Sequence, residues 1–295
     1  MTRLPFVSII IPTYRDWDRL RICLQRLSRQ TYPADRIEVL VIDNEVGAAS
    51  PDVTKFRMGN LTLLSEPQPG SYAARNRGIA TARGEVLAFT DSDCIPDPTW
   101  IERGVNELIE HPEPARIGGG IDLVFDNELT LSTAEIYEKY CAFPQARYIA
   151  RRGACVTANM FAWKWVFDRV GYFDTRMLSG GDMEWGRRAE ASGYRILYAP
   201  SVKVTHPARG SYGDLRKKAR RVGSGSYRPT IRGFIRAHVA IILALIPPIG
   251  QAVEISRKEG PLREKLLALL VHMDMRMTRA WSRLKAAYTG GRSRT

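Results

Sequence analysis

Four short apolar runs recur within the first hundred residues, each of the length of one buried strand. Runs that are apolar throughout are typical of parallel strands, because helices cover both faces of a parallel sheet. The segments between the runs are long enough for helical crossovers. The pattern therefore predicts an α/β fold with a doubly wound, mostly parallel central sheet. The predicted strands are VSIII (7–11), IEVLVID (37–43), LTLLSE (61–66) and EVLAFTD (85–91).

Two of the connecting segments carry the signals of helices. The segment YAARNRGIATAR (72–83) predicts a helix. Its expected N-cap is Ser71, which follows a Pro-Gly pair. Farther along, ARIGGGIDLVF predicts a glycine-rich strand and STAEIYEKYCAF a short helix. In DRLRICLQRLSRQ (18–30), the apolar residues that share one helical face are Leu20, Cys23, Leu24 and Leu27.

Carboxylates follow two of the predicted strands directly. Asp43 ends the second strand, and Asp91-Ser92-Asp93 follow the fourth. Ligands of such sheets bind outside the carboxyl ends of the strands. Two close carboxylates repel each other, and a divalent cation, Mg²⁺ or Mn²⁺, would neutralise the pair and leave positions for phosphate oxygens, with Ser92 turned away. On this motif alone, an Asp-rich turn that caps the helix after Asp97 is an equal alternative.

The charge of the chain is unevenly distributed. Residues 203–295 hold 20 Lys and Arg against 5 Asp and Glu, a net charge of +15. The first 202 residues hold 24 against 26, a net charge of −2. This asymmetry predicts an anionic partner for the C-terminal part, either a membrane surface or a nucleic acid.

The cysteines and the N-terminus indicate a cytosolic setting. Neither a C-x-x-C pair nor a His/Cys cluster is present, which argues against a disulfide framework or a zinc site. The run FVSIIIP near the N-terminus is too short for the core of a signal peptide and is interpreted as the first strand. The scattered cysteines, expected as reduced thiols, are Cys23, Cys94, Cys141 and Cys155.

Four longer stretches follow one another in a fixed order over residues 6–206. They are VSIIIPTYRDWDRLRICLQRLSRQTYP, IEVLVIDN, PGSYAARNRGIATARGEVLAFTDSDCIPDPTWIE and VGYFDTRMLSGGDMEWGRRAEASGYRILYAPSVKVTH. Together they resemble the motifs of the family 2 glycosyltransferases of the GT-A fold. The resemblance implies a nucleotide-diphosphate-sugar donor, Mn²⁺ or Mg²⁺ as cofactor, and transfer of the sugar to an acceptor hydroxyl with inversion. Residues after 206 fall outside the shared core.

The resemblance also assigns a donor site by position. It implies that Asp43 contacts the base, because a base edge needs a directional acceptor. It places Arg75 and Asn76 in the stretch that approaches the nucleotide and sugar, whereas Arg77 is expected on an exposed helix face. Further donor-site residues are Pro12, Tyr14 and Asp16, which line the nucleotide, and Asp91, Ser92 and Asp93, which form the metal and diphosphate motif. In the family a His at the position of His206 often approaches the metal, and a structural role for this His is the alternative.

The stretch GGDMEWGRR (180–188) resembles the acceptor side of the family site. Asp182 matches the position of the base that takes the acceptor proton, and Arg188 could fix the carboxylates of Asp182 and Glu184. The alternative is a helix N-terminus at which Asp182 favours the helix dipole. Gly181 stands where an acidic residue is frequent in the family, so one Asp must do the work, and Asp182 is preferred to Glu184.

Two further departures from the family pattern bear on activity. The sequence Asp43-Asn44-Glu45 replaces the commoner Asp-Asp-Gly-Ser, which leaves the first carboxylate but changes its surroundings. The Q-x-x-R-W signature of processive polysaccharide synthases is absent. Transfer of one sugar per encounter is therefore expected.

The C-terminal part predicts a basic linker over 209–233 and a basic amphipathic helical tail over 234–295. An apolar run at 237–253 is broken by Pro247-Pro248, so it is a poor transmembrane helix and either a buried helix or an interfacial segment. The stripe of the tail is Leu262, Leu266, Leu270, Met273, Met277, Trp281, Leu284 and Tyr288, and the basic residues beside it include Arg263, Lys265, Arg276, Arg279, Arg283 and Lys285. This pattern favours binding to an anionic membrane surface, and packing on the catalytic domain is the alternative.

The sequence thus predicts a catalytic domain over residues 1–208 that acts as a non-processive, hexosyl-transferring enzyme. Its expected place is the cytoplasmic face of a membrane, in the assembly of a surface polysaccharide or glycolipid on a glycan or lipid-linked acceptor. A sugar-nucleotide nucleotidyltransferase would want a glycine-rich loop after the first strand, where this chain has PTYRDWD. A nucleic-acid-binding protein is the alternative from a different class. It is disfavoured because the positive charge lies outside the motif-bearing domain.

Overall fold

The computed structural model describes residues 3–45, 58–111, 113–225, 227 and 230–289. By internal contacts the chain forms two compact units. The first consists of Met1–Asp122, Pro144–Arg176 and Gly181–His206, and the second of Leu123–Phe143, Met177–Gly180 and Pro207–Thr295. The predicted domain boundaries at residues 208 and 233 stay a prediction. Residues 226, 228 and 229 of the predicted linker and residues 290–295 of the predicted tail lie outside the described residues.

A single mixed sheet carries the strands of the described residues. The strands are β1 (Val7–Thr13), β2 (Ile37–Asp43), β3 (Leu61–Ser65), β4 (Val86–Thr90), β5 (Ile95–Pro96), β6 (Arg116–Val124), β7 (Asn159–Trp163) and β8 (Ile196–Pro207). Their spatial order is β3-β2-β1-β4-β7-β6-β8-β5. Strands β1 to β4 pair in parallel, whereas β7 pairs antiparallel with β4 and β6, and β5 pairs antiparallel with β8. The α/β fold and all four predicted strands are confirmed.

Helices lie between many of the strands and make up most of the described C-terminal part. They are α1 (Trp17–Leu27), α2 (Ser71–Thr81), α3 (Trp100–Glu110), α4 (Thr133–Cys141), α5 (Gln145–Arg152), α6 (Lys164–Val170), α7 (Gly181–Ala191), α8 (Tyr212–Gly225), α9 (Ile231–Leu245), α10 (Ile249–Ser256) and α11 (Leu262–Tyr288). A short 3₁₀ turn spans Ala34–Arg36. The predicted N-cap at Ser71 is wrong by one residue: Gly70 occupies the cap with a φ of 120°, which glycine adopts without strain.

Burial follows the predicted patterns in the first unit. Every residue of β2 and β4 is buried, which accounts for their apolar composition. The predicted face of α1 is buried against the sheet, where its residues join one apolar core with β1, β2 and β4. The sheet therefore holds the carboxyl ends of β1, β2 and β4 in fixed positions.

One buried amide fastens the antiparallel half of the sheet. The Asn159 side chain is fully buried and donates to the carbonyl oxygens of Gly120 at 2.7 Å and Val202 at 2.8 Å. The side-chain oxygen Oδ1 of Asn159 accepts from Trp100 Nε1 at 2.9 Å. Asn159 thus joins β6, β7, β8 and α3 through a satisfied polar cluster inside the core.

The second unit is helical, and α11 is its longest element. The buried residues of α11 are mostly small, with Val271 and Met275 among them, and none of the predicted apolar stripe belongs to this buried set. Leu262, Leu266, Leu270 and Trp281 are each more than half exposed. Within the second unit the stripe is therefore an open surface.

The predicted apolar run at 237–253 forms α9 and α10, with a bend of 51° between the two helices. Many of its apolar side chains are exposed, so the alternative of a buried helix is wrong. Among the described residues, no single helix has the length and apolar character needed to cross a membrane, and only this bent pair meets that test jointly.

We expect Asn159→Ala to destabilise the first unit by roughly 2–5 kcal/mol, because two buried carbonyl oxygens and the Trp100 indole would lose their partner. Chemical denaturation followed by circular dichroism measures the change. The matched control is Asn106→Ala on the exposed face of α3, which should shift the free energy of unfolding by less than about 0.5 kcal/mol. Equal effects of the two substitutions would contradict the role given to Asn159.

Candidate active site

The parallel register brings the predicted carboxylates to one edge of the sheet. Thr13 at the end of β1 lies directly beside Asp43 at the end of β2. The end of β4 lies on the other side of β1, because β4 pairs in parallel with that strand. Asp16, Asp43 and the Asp91–Asp93 segment therefore follow neighbouring strand ends, where ligands of such sheets bind.

The Asp91–Asp93 segment is surrounded by polar partners. Arg75 Nη2 donates to Asp91 Oδ1 at 2.5 Å, and the Arg75 side chain is almost fully buried. His206 Nε2 lies 3.5 Å from Asp93 Oδ1. Ser92 is buried and its hydroxyl donates to Asp16 Oδ2 at 3.1 Å, so it turns from its neighbouring carboxylates toward another predicted donor-site residue.

The surroundings of Asp93 disfavour the negative charge on its carboxylate. Burial raises its pKa, the nearby His206 opposes that shift, and the negative charges of Asp91 and Asp16 add to it. A charge that is costly in this way is stabilised by any cation that binds beside it. The surroundings of Asp93 therefore favour a positive ligand.

The residues present fit a hard divalent cation. Ligand atoms of Asp93, Cys94 and His206 lie within 4.8 Å of one another. Burial raises the pKa of the Cys94 thiol well above its usual value, and a thiol is a softer ligand than the oxygen donors that Mn²⁺ and Mg²⁺ prefer. A carboxylate and an imidazole remain, with Asp91 beside them, and such a set suits Mn²⁺ or Mg²⁺.

The nucleotide side of the site contains an ion pair that the sequence did not indicate. Arg15 has a φ of 55°, and its guanidinium pairs with Glu45 at 2.5 Å while lying over the ring of Tyr14. Tyr14 is 59% exposed. Asp43 is buried and its Oδ1 accepts from the Glu45 backbone N–H at 2.9 Å. Glu45 thus joins the ends of β1 and β2 at the edge where the nucleotide is predicted to bind.

Asn44 has a structural role in the same loop. Its amide donates to the carbonyl oxygens of Glu66 and Gln68, both at 2.8 Å, and its oxygen accepts from Gly70 N at 2.7 Å. These bonds tie the end of β2 to the start of α2. Asn44 and Glu45, which depart from the family pattern, therefore each have a partner nearby: Asn44 through hydrogen bonds and Glu45 through its ion pair with Arg15.

The structure brings Arg75, but not Asn76, to the carboxylates. The Asn76 amide donates to Phe173 O at 2.8 Å and its oxygen accepts from Phe173 N at 3.1 Å. Pro12 is half-buried at the end of β1, and Arg77 is exposed as predicted. The roles of Pro12 and Asn76 in donor binding stay predictions.

Asp182 lies in the first turn of α7, and two donors hold its carboxylate. Its Oδ1 accepts from Met183 N at 2.8 Å and from the Tyr72 hydroxyl at 3.1 Å. Burial raises the pKa of Asp182, whereas the Met183 N–H, the positive charge of Arg75 and the Tyr72 hydroxyl oppose the shift. A carboxylate with a raised pKa is a stronger base than an ordinary exposed Asp, which suits Asp182 to accept a proton.

Glu184 is engaged differently from Asp182. Its Oε1 accepts from Arg188 Nε at 2.9 Å, and Arg188 also donates to the carbonyl oxygens of Val170 and Tyr172. Among the described contacts, Arg188 therefore fixes Glu184 and not Asp182. The preference for Asp182 as the proton acceptor gains support from this difference.

Comparison with known proteins gives a consistent result. Residues 8–122 match the family model described as Glycosyl transferase family 2. The chain is 37% identical over 251 residues to Glycosyltransferase AglE of Haloferax volcanii, an alignment that covers 84% of this chain and 81% of that protein. It is 23% identical to a Methanococcus voltae protein named dolichyl N-acetyl-alpha-D-glucosaminyl phosphate 3-beta-D-2,3-diacetamido-2,3-dideoxy-beta-D-glucuronosyltransferase, over 70% of this chain and 68% of that protein.

Two solved structures share the fold. The mannosyltransferase PcManGT of Pyrobaculum calidifontis, in complex with GDP-Man and Mn²⁺, matches 97% of this chain and 88% of that chain with a TM-score of 0.62 at 20% identity. TarS of S. aureus matches 98% of this chain and 93% of that chain with a TM-score of 0.53 at 18% identity. At these identities the likeness shows the fold alone, and it confirms the GT-A-type fold that the sequence predicts.

We expect wild-type protein to bind Mn²⁺, and Asp93→Asn to weaken that binding by about tenfold or more, because the substitution removes a ligand charge. Titration calorimetry with Mn²⁺ alone measures both affinities. The matched control, Asp35→Asn, removes an exposed carboxylate just before the amino end of β2, at the opposite edge of the parallel strands from the site, and should leave the affinity unchanged. Equal Mn²⁺ affinity of wild type and Asp93→Asn would contradict the cation site.

Proposed function

The chain belongs to glycosyl transferase family 2, and from this membership we propose that it transfers a sugar from a nucleotide-diphosphate-sugar to an acceptor hydroxyl with inversion. The observation that carries the proposal is the arrangement around α2. Tyr72 and Arg75, about one helical turn apart, contact Asp182 and Asp91 respectively. A candidate base and a candidate diphosphate motif thus face the same helix.

The donor side of the proposed reaction is electrostatic. Asp43 and Tyr14 would hold the nucleotide, and Asp91, Asp93 and His206 would hold Mn²⁺ or Mg²⁺. When bound, the cation would neutralise negative charge on the diphosphate leaving group. Arg75 fixes the Asp91 carboxylate, so this group is oriented before the donor arrives.

The acceptor side is proton transfer. As the acceptor oxygen attacks the anomeric carbon, Asp182 takes the proton of the attacking hydroxyl, and the bond between the anomeric carbon and the diphosphate oxygen breaks. A single displacement of this kind inverts the configuration at the anomeric carbon. The Met183 N–H and the Tyr72 hydroxyl hold the carboxylate toward this task.

The acceptor that we propose is lipid-linked, and the reaction adds one hexose-type sugar per encounter during surface glycan assembly. Support comes from the Methanococcus voltae relative, whose name specifies a dolichyl-phosphate-linked sugar as acceptor. The absence of the processive signature Q-x-x-R-W supports single transfer. Family membership favours this activity over the nucleotidyltransferase and nucleic-acid-binding alternatives.

A lipid-linked acceptor places the enzyme at a membrane, and the second unit offers a suitable surface. We define the apolar surface as the exposed side chains of α9, α10 and α11, which include Ile235, Ile242, Leu245, Ile249, Leu266, Leu270 and Trp281. Helices α9 and α10 both contact α11, and exposed apolar side chains gathered on neighbouring helices are typical of an interaction site. The bend of 51° between α9 and α10 suits a segment that dips into an interface.

Charge selects an anionic membrane as the partner of the apolar surface. Exposed Arg232 and Arg236 lie on α9, and exposed Arg263 and Lys285 lie on α11, within a segment of net charge +15. Anionic lipids of a cytoplasmic leaflet attract such groups by about 1 kcal/mol each. Peripheral binding at the cytoplasmic face is therefore the proposed location.

Three arginines beside the stripe of α11 are unsuited to a test of membrane binding by charge reversal. Arg276 donates to the carbonyl oxygens of Leu243 and Ile246 at the end of α9. Arg279 donates to Met275 O in its own helix, and burial lowers the pKa of Arg283. Replacing these three arginines would disturb the packing of the unit as well as its charge.

We expect Asp182→Asn to lower kcat by roughly 10²–10⁴ and to leave donor affinity near the wild-type value, because the base acts on the acceptor. Transfer and hydrolysis assays over a panel of nucleotide sugars with Mn²⁺ measure both. The wild-type rate should fall as the pH drops through the raised pKa of Asp182, since the protonated carboxyl cannot accept a proton.

Glu184→Gln is the control for the choice of base. This variant loses an ion pair with Arg188 but should keep activity within about tenfold of wild type. An active Asp182→Asn together with an inactive Glu184→Gln would show that the other carboxylate is the base. A wild-type protein that transfers no sugar from any donor of the panel would overturn the proposed function.

We expect the triple variant Leu266→Ser, Leu270→Ser and Trp281→Ser to lose binding to vesicles that contain phosphatidylglycerol, by a hundredfold or more, because each side chain contributes roughly 1.5–3 kcal/mol on burial. Flotation with phosphatidylglycerol and with pure phosphatidylcholine vesicles measures the loss and its dependence on charge. The matched control is Leu129→Ser, since Leu129 is 94% exposed and lies outside the apolar surface. Equal flotation of triple variant and wild type, or a triple variant that only dissociates a dimer, would contradict membrane binding.

A further inference from the structure

The ring of Tyr72 lies between the two halves of the candidate site. On one side, the guanidinium of Arg75, which holds Asp91, lies 5.8 Å from the centre of the ring. On the other side, the Tyr72 hydroxyl donates to Asp182 Oδ1 at 3.1 Å. The ring is packed against Phe173, with a separation of 5.6 Å between ring centres, and Tyr72 is buried. The hydroxyl is therefore delivered to Asp182 by a ring with little freedom to move.

Gly181 is fitted to the same ring. A Cβ atom at position 181 would lie 2.7–2.9 Å from three atoms of the Tyr72 ring, closer than side chains pack. The backbone of Gly181 does not have a positive φ, so contact with Tyr72, and not backbone conformation, excludes a larger residue there. The acidic residue that is frequent at this position in the family has no room while Tyr72 keeps its place.

We propose that Tyr72 is a positioning residue that holds the Asp182 carboxylate for proton transfer, and that Gly181 is required because a side chain there would displace the Tyr72 ring. The inference rests on the proposed function, since it assigns a task to a neighbour of the proposed base. It also accounts for the departure at Gly181, because in this chain a tyrosine on α2 supplies the second polar group beside the base.

The hydrogen bond from the Tyr72 hydroxyl has two consequences for Asp182. It fixes the direction in which the other carboxylate oxygen, Oδ2, points. This orientation determines for what fraction of the time Oδ2 is in line with the proton of the acceptor hydroxyl. It also stabilises the charged carboxylate, because the bond is made to the ionised form. Removing the hydroxyl alone should therefore lower the rate and make Asp182 harder to deprotonate.

The other charged or titratable groups that act on Asp182 are known from the structure. Arg75 on α2 favours the ionised form, and the negative charge of Asp91 after β4 disfavours it. The buried Cys155 thiol is also within electrostatic range, and burial raises its pKa to about 12, so it stays neutral. None of these groups is altered when Tyr72 is replaced by phenylalanine.

The test is the pH dependence of sugar transfer by Tyr72→Phe, which keeps the ring, its packing on Phe173 and its contact with Arg75. We expect kcat at neutral pH to fall by about tenfold or more, the effect of losing one hydrogen bond to a charged group. The acid limb of the kcat profile should move to higher pH, because the pKa of Asp182 rises when a donor is lost. KM for the donor should stay at the wild-type value.

A second variant tests the fit at Gly181 independently. Gly181→Ala should reproduce the lower kcat and the shifted acid limb in the wild-type background, and should have less effect in the Tyr72→Phe background. The matched control is Tyr212→Phe, which removes a hydroxyl bond to Asp274 at 2.7 Å in the second unit and should leave the profile unchanged. Thermal unfolding of each variant distinguishes a shifted profile from loss of the fold.

The outcomes separate this inference from the proposed function. An active wild type together with a Tyr72→Phe variant of unchanged kcat and unchanged acid limb would overturn the role of Tyr72 alone. Fully additive effects of Tyr72→Phe and Gly181→Ala would overturn the link between the two positions. A wild type that is inactive with every donor would overturn the proposed function, and this inference with it.

Discussion

The candidate site depends on the ion pair between the buried guanidinium of Arg75 and the carboxylate of Asp91. Asp91, Asp93, Asp16 and Asp182 lie close enough to influence one another or Arg75, and their charges repel. Like charges in a partly dry site are costly unless a positive group lies among them. Arg75 supplies that charge from α2, through a direct bond to Asp91 and an electrostatic effect on Asp182. Arg75 therefore offsets part of the cost of placing Asp91 and Asp182 near each other at this edge of the sheet.

The position of Arg75 follows from the sheet and from one glycine. Helix α2 crosses from β3 to β4, and Gly78 has no room for a side chain, because a Cβ would lie 2.6 Å from Ile10 in β1. The helix therefore lies close against the parallel strands. At its first turn, the bonds of Asn44 hold Gly70 to the end of β2. These contacts fix the residues of the first turns, Tyr72 and Arg75 among them, relative to the strand ends.

The sequence was a good guide to features that repeat along the chain or that match whole motifs. The strands, the buried face of α1 and the exposure of Arg77 could be predicted, because periodicity and apolar composition report directly on burial. The resemblance to the family placed His206 near the metal motif, with a structural role as the alternative, and in the structure His206 lies beside Asp93. Local patterns and ordered motifs therefore defined most of the fold and the outline of the site.

Contacts between residues distant in sequence could not be predicted. Arg15 pairs with Glu45, and Tyr72 bonds Asp182 across 110 positions of the chain. No local pattern marks such pairs, because each depends on how two loops or helices are placed by the sheet. The departures at Gly181 and Glu45 were visible signals, but their meaning required the partner residue. The exchange of Ser71 for Gly70 as N-cap has a simpler cause, since glycine alone adopts the φ of 120° freely there.

The second unit raises a separate argument about packing. The buried face of α11 contains small residues such as Ala268 and Ala286, and Gly223 of α8 approaches it so closely that a Cβ would lie 2.3 Å from the Arg279 carbonyl oxygen. Large apolar side chains such as Leu270 and Trp281 are on the exposed face instead. A helix selected only for packing would gain more from burying the large residues, at roughly 1.5–3 kcal/mol each. An exposed apolar stripe also favours aggregation in water. Small residues inside and large ones outside are therefore what we expect of a helix whose exposed face is covered by a partner.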